Sequence, residues 1–360
     1  MNTRAPATSS TRSLRLATAV AVAALAAATS AQPQAPLYSL VDLRTAQGSN
    51  PMGLSDAGHV TGLYFGTGGQ RRAFLWDNGA VSDLGTLGGI AQAFAVNDAG
   101  VVAGYSVDVQ GRQRAIRVEN RVITDLGTLH GGIHANANDI NNAGWIVGMS
   151  QRRQGNEMLQ RAALWRDGSV IDLGTFGGEY AEAHALNDAG QVVGWAWGPE
   201  RRHRAFLWSL AAGMTDLGTL GGVSSIATDV NVHGAVVGSS SVSPGGPTRA
   251  FLWTPGRGML DLGTPPGTDD SSANAINDHG QIVGSSFLPV ECRSEPLLWH
   301  GGVLYLLNDR IDRTLGWTLI DARDINDRGE IAATARHENG SYGAVLLLPS
   351  ESPGESAGPR

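Results

Sequence analysis

The chain has 360 residues, of which 49 are glycine and 16% are charged, and its formal net charge is -7. That glycine share is about twice the usual ~7%, yet 15 prolines and 42% hydrophobic residues exclude a collagen-like or disordered chain and allow a large core. All the Lys/Arg positions are arginine, and the acidic balance argues against a nucleic-acid partner.

The first elements read as an export signal. Arg4, Arg12 and Arg15 precede an apolar run from Leu16 to Ala28, and the small residues Thr29, Ser30 and Ala31 offer a cleavage site after Ala31. The run is too short and alanine-rich for a membrane span. Cleavage removes three arginines and no acid, taking the formal charge from -7 to -10. Secretion, periplasmic or extracellular, and no span in the mature chain are therefore expected. Cys292 is the only cysteine, so no intramolecular disulfide can form.

From residue 32 to 350 one unit repeats. FAVNDAGVVAG (Phe94 to Gly104), NDINNAGWIVG (Asn138 to Gly148), HALNDAGQVVG (His184 to Gly194), TDVNVHGAVVG (Thr228 to Gly238) and NAINDHGQIVG (Asn274 to Gly284) share a turn asparagine and a turn glycine. GLSDAGHVTG (Gly53 to Gly62) and DINDRGEIAA (Asp324 to Ala333) are weaker copies at the ends. The seven turn glycines, Gly58 to Gly329, are spaced by 42, 44, 46, 44, 46 and 49 residues, a period of propellers or solenoids.

Within each unit the reading is four strands. Two short β-branched runs flank the N-D-A-G turn, a third run reads AFLW (from Ala73, Ala205 and Ala250), and a fourth ends in DLGT. The predicted fold is all-β: a seven-bladed propeller of four-stranded blades. The seventh unit stops after GAVLLLP (Gly343 to Pro349), and YSLVDL (Tyr38 to Leu43) supplies its missing strand. This closure leaves no free sheet edge. A solenoid would need polar end caps, and none is visible. Residues 351–360 read as a disordered tail.

DLGTLGG occurs twice unchanged, at Asp83 and Asp216, with near-copies at Asp125, Asp172 and Asp261. A catalytic signature normally occurs once, so the phrase is expected to be scaffold, its aspartate satisfying backbone groups and its glycines turning the chain between blades. With DLGTLGG, the AINDxGxIVG-like segments and the AFLW strand, nearly the whole mature chain resembles the extracellular HAF repeat family of bacteria. The sequence departs at the naming histidine, carrying Arg72, Arg204 and Arg249 before Ala-Phe. The resemblance implies secretion or surface display and a propeller-like fold, and no particular activity.

Chemistry is sparse. There is no phosphate loop, and Cys292 reads as an incidental thiol. His130 and His134 are spaced as ligands only on a helix, and here the segment is a loop. No metal or cofactor is expected. Function is instead expected where the units differ. Counting back from the turn asparagine, the third and fifth preceding residues vary, giving Asn138, His184, Asn274 and Arg323 at one position and Gln92, Asn136, Glu182 and Asp321 at the other. Both stand where the inner strand begins, on the face where blade crossings and second-to-third-strand loops emerge. His134 and Glu179 lie in the same crossings, and Arg153, Arg201 and Arg202 in the same loops.

These positions are the candidate ligand site. Guanidinium forks suit carboxylates and sulfates, so the expected function is a monomeric binding module for an anionic polysaccharide or a cell-envelope protein. Arginine stems covering blade edges are the structural alternative for the repeated ones. The rival function is a glycan hydrolase or lyase, with Glu179, Glu182 and Asp321 near the channel and two acids about 5 to 10 Å apart.

Overall fold

The computed structural model describes residues 35–45, 48–288 and 293–350. The export signal, Cys292 and the tail 351–360 lie outside them. Among the described residues no helix is long and apolar enough to cross a membrane.

Seven antiparallel four-stranded sheets follow one another in chain order. Blade one is Asn50–Leu54, Val60–Phe65, Arg71–Asp77 and Ala80–Asp83. Blades two to six begin at Gly88, Ala135, Ala181, Ser225 and Ser272. Blade seven takes Trp317–Ile325, Ile331–His337 and Tyr342–Ser350 from the end of the chain and Leu37–Asp42 from its start. The terminal strands pair from Leu37 opposite Ser350 to Asp42 opposite Val345. The predicted closure is therefore the one observed.

Each blade packs on both faces, which is why its second strand is a continuous apolar pair and not an alternating one. Val192 packs with Val147 and Leu164 of blade three, while Val193 packs with Val230 and Phe251 of blade five. The AFLW phenylalanines, Phe74, Phe206 and Phe251, are fully buried wedges between blades.

The glycine that closes each V-V-G run has a steric cause. A Cβ on Gly194 would sit 2.1 Å from the Glu182 carbonyl oxygen, and on Gly238 2.0 Å from that of Ile226. A β-bulge in the inner strand, between Ala183 and Ala185 in blade four, brings that carbonyl close. Blade seven has Ala333 instead, and there the inner strand carries a second bulge, between Leu319 and Asp321.

The turn asparagines form a ladder around the channel. Asn97 donates through Nδ2 to the Asn141 carbonyl, Asn141 to Asn187, Asn187 to Asn231, Asn231 to Asn277, Asn277 to Asn326 and Asn326 to Ser55, at 2.9 to 3.2 Å. Each Oδ1 caps its own turn; that of Asn231 accepts from the His233 and Ala235 N–H groups. Asn231 is buried, so Asn231→Ala would strand several polar groups. We expect a loss of about 2–4 kcal/mol in urea unfolding. Asn231→Ser should lose less, since Ser55 keeps the equivalent cap by accepting from the His59 N–H at 3.2 Å. Equal midpoints for Asn231→Ala and the parent would refute the ladder's role.

The repeated DLGT phrase has two jobs. In all five copies the aspartate Oδ1 accepts from the glycine two residues on, at 2.7 to 2.9 Å. Its other oxygen faces an arginine of the same blade: Arg72 with Asp83 at 2.7 Å, Arg114 with Asp125 at 2.8 Å, Arg152 with Asp172 at 2.9 Å, Arg204 with Asp216 at 2.9 Å, and Arg249 with Asp261 at 3.9 Å. Burial pushes the Asp83 carboxyl up, but the Gly85 N–H, the Tyr64 hydroxyl and Arg72 outweigh it and hold it below the usual carboxylate range. Such part-exposed pairs add little stability singly.

Candidate functional site

The two ends of the channel differ in chemistry. At the turn end a cavity is walled by the asparagine ladder and by Asp56, Asp98, Asp188, Asp278 and Asp327. These acids are committed to the blade seams. Asp98 accepts from the Ala57 N–H, Asp188 from Asn142, and Asp327 from Asp278, at 2.8 to 2.9 Å.

Deeper stand Asp139, Asp229 and Asp324, two residues before the turn asparagine in blades three, five and seven. Each accepts from its own following N–H and from the next blade: Leu186, Ile276 and Leu54 at 2.7 to 2.8 Å. Burial raises all three, Asp229 to about 6 and Asp324, aided by the charge of Asp229, to about 7. Asp139 is raised well above the usual value by burial and then by Asp229 and Asp324. Among the described residues no group of three His, Cys, Asp or Glu side chains is arranged to hold a metal ion.

The unlike positions gather at the crossing end, where the inner strands begin. The third residue before the turn asparagine is the extra residue of the inner-strand bulge. In blades three to six its side chain reaches the next blade's backbone. Asn138 donates to the Ala183 carbonyl at 2.8 Å and His184 Nδ1 to Ala227 at 2.9 Å. Thr228 donates to Ala273 at 2.9 Å and Asn274 to Ala322 at 2.7 Å.

Three sequence-predicted residues meet at the seam of blades three and four. Asn136 Nδ2 donates to Asn138 Oδ1 at 2.6 Å, and Asn138 Nδ2 to Glu182 Oε1 at 3.0 Å. Gln160, from the third strand of blade three, donates to Glu182 Oε2 at 3.1 Å. The result is a rigid amide–carboxylate array. His184 is two residues along the same strand.

The other predicted residues are dispersed. Gln92 is buried in blade two. His134 Nδ1 accepts from the Gln113 N–H at 3.0 Å, joining blades two and three. Asp321 and Arg323 form their own pair at 2.6 Å in blade seven, and burial raises Asp321 while Arg323 opposes it.

Most of the loop arginines are paired. Arg201 meets Glu179 at 3.3 Å and Arg202 meets Glu200 at 3.5 Å. Arg153 is exposed and has no carboxylate partner among the described residues. The crossing face therefore carries guanidinium groups beside acids, and its positive character is local.

Comparison of the inner strands alone misses a cluster on blade four. Trp195 stands opposite Glu182, and Trp197 opposite His203. Ring centroids are 4.4 Å apart for Trp195 and His203, and 4.7 Å for Tyr180 and Trp197, both edge-to-face. Burial lowers His203, with His184 adding to the effect. The equivalent positions of blade five are Ser224, Ser239, Ser241 and Thr248. The scaffold does not need rings there, and aligning second and third strands between units would have found them.

No protein-family model and no curated protein matches the chain. Solved structures match in fold. A puromycin-hydrolysing peptidase of Mycobacterium tuberculosis aligns over 83% of this chain and 51% of its own, with 11% identity and a TM-score of 0.57. The β-propeller domain of the Trilobed protease from Pyrococcus furiosus aligns over 89% and 100%, with 8% identity and a TM-score of 0.55. An acylaminoacyl peptidase of Pyrococcus horikoshii aligns over 88% and 52%, with 10% identity and a TM-score of 0.54. The chain spans about half the length of the two peptidases. At such identities the likeness is one of fold. The Trilobed protease propeller is described as having an open velcro topology, whereas here the terminal strands are paired.

Proposed function

We propose that the chain is a secreted binding module of the HAF repeat kind whose crossing face takes an anionic glycan of the cell envelope. One observation carries this reading: Asn136, Asn138, Gln160 and Glu182 come from positions free to vary between units, yet converge in one hydrogen-bonded array. Amides held in fixed orientation suit the alternating donors and acceptors of sugar hydroxyls. Arg153, Arg201 and Arg202 on the neighbouring loops supply cations for carboxylate or sulfate groups.

A screen of cell-wall and acidic polysaccharides should find one that the chain retains. Its affinity should fall several-fold between ~0.1 and ~0.5 M salt. Glu182→Gln sets an amide against two amide donors and should weaken retention about tenfold. Retention of no glycan, or retention indifferent to salt, would remove the reading.

A further inference from the structure

A second feature of the crossing face lies at blade four. Between blades four and five opens a cavity of about 540 Å³, walled by Phe176, Pro199, Arg202, Arg204, Asp216 and Val223. Its size falls in the range of small-ligand sites. Three apolar side chains share the walls with two guanidinium groups and their two carboxylate partners, Glu200 and Asp216, so a molecule with a C–H face and an anionic edge fits where one of those carboxylates gives way.

We infer that this cavity is the subsite for one acidic sugar unit, with Arg202 as its anion partner; the inference rests on the glycan-binding reading above. Phe176, Pro199 and Val223 offer the hydrophobic surface on which the C–H face of a pyranose rests. The two arginines differ in commitment. Arg204 belongs to the repeated pairing and holds Asp216 through Nε at 3.1 Å and through a second nitrogen at 2.9 Å. Among the described residues Arg202 has only Glu200, at 3.5 Å, and both side chains are open to solvent, 45% and 82% exposed. So loose a contact contributes little and is readily exchanged for a carboxylate or sulfate held by other contacts as well.

The wall beside Arg202 is stiff. Gly178 donates its N–H to the Trp197 carbonyl at 3.0 Å, tying the crossing loop to the strand that leads into Gly198 and Pro199. Trp197 and His203 flank that loop on both sides and pack with each other at 5.9 Å. The Trp197 N–H in turn donates to the Tyr180 carbonyl at 2.8 Å. A preformed wall lowers the ordering cost of binding.

The test measures retention of the full chain by polygalacturonate, dextran sulfate and a carboxyl-reduced neutral polymer. Arg202→Gln, Glu200→Gln and Glu182→Gln are run alongside, with melting curves confirming that each variant folds. Arg202→Gln should weaken binding to an acidic polymer about tenfold, and Glu200→Gln should strengthen it by releasing Arg202. The polymer that responds distinguishes carboxylate from sulfate. If both variants bind as the parent does while Glu182→Gln is weakened, the cavity assignment fails and the wider reading stands. If the parent is retained by no polymer, both fail.

Discussion

Removing residues 32 to 45 should abolish the cooperative melting transition or lower it by more than about 15 °C, as read by calorimetry or circular dichroism. The segment carries the outer strand Leu37–Asp42, paired along its full length with Leu346–Ser350 and Val345. It also brings Tyr38 and Leu43, exposed to only 3% and 1%, into the core. Burying two such side chains is worth about 1.5–3 kcal/mol each, and each ladder hydrogen bond adds about 0.5–1.5 kcal/mol. The loss thus approaches the roughly 5–15 kcal/mol of a whole domain. The exposed edge of the last strand would invite pairing between molecules, so aggregation should accompany the loss. A truncated chain that melts as the parent does would mean that ring closure contributes nothing to stability.

Stability should also decline as pH rises from about 4 to 7, and the double variant Asp229→Asn, Asp324→Asn should largely remove that decline. The sign follows from proton counting. Unfolded aspartates lose their protons near the ordinary value of 3.8, whereas the folded carboxyls of Asp229 and Asp324 hold theirs to about 6 and about 7. Between those values the folded state binds more protons, so these groups stabilise it fully below about pH 4 and lose that contribution as pH passes 6 to 7. We expect a difference of about 2 kcal/mol between pH 4.5 and 7.5. Urea unfolding of both proteins across this range measures it. The variant loses an acceptor at each site, so its absolute stability falls; the slope is the readout. Parallel pH profiles for the two proteins would show that Asp229 and Asp324 do not govern it.

The blade count, the strand order and the closure at the termini were legible in the residues alone. Each rests on recurring local signals: a turn glycine at positive φ in all seven units, such as Gly100 at 73°, a V-V-G-like run in six and an AFLW wedge in three. Repetition averages out the ambiguity of any one copy. The scaffold role of DLGT was legible for the same reason, and the Asp83 contact to the Gly85 N–H bears it out.

What periodicity does not encode is the fit between neighbouring blades. That Arg72 faces Asp83 across two adjacent strands follows from strand register. That Asn138 reaches Glu182, 44 residues on, follows from a bulge that turns one residue of each inner strand toward the next blade. The variable positions could therefore be named from the sequence, but their meetings could not: Gln160 joins the array from a third strand, and the rings of Trp195, Trp197 and His203 collect on one blade. The repeat determined the ring and the places where it may vary. Only tertiary packing decided which variations meet, because side-chain contact depends on the angle and register between wedges, and no single wedge contains that information.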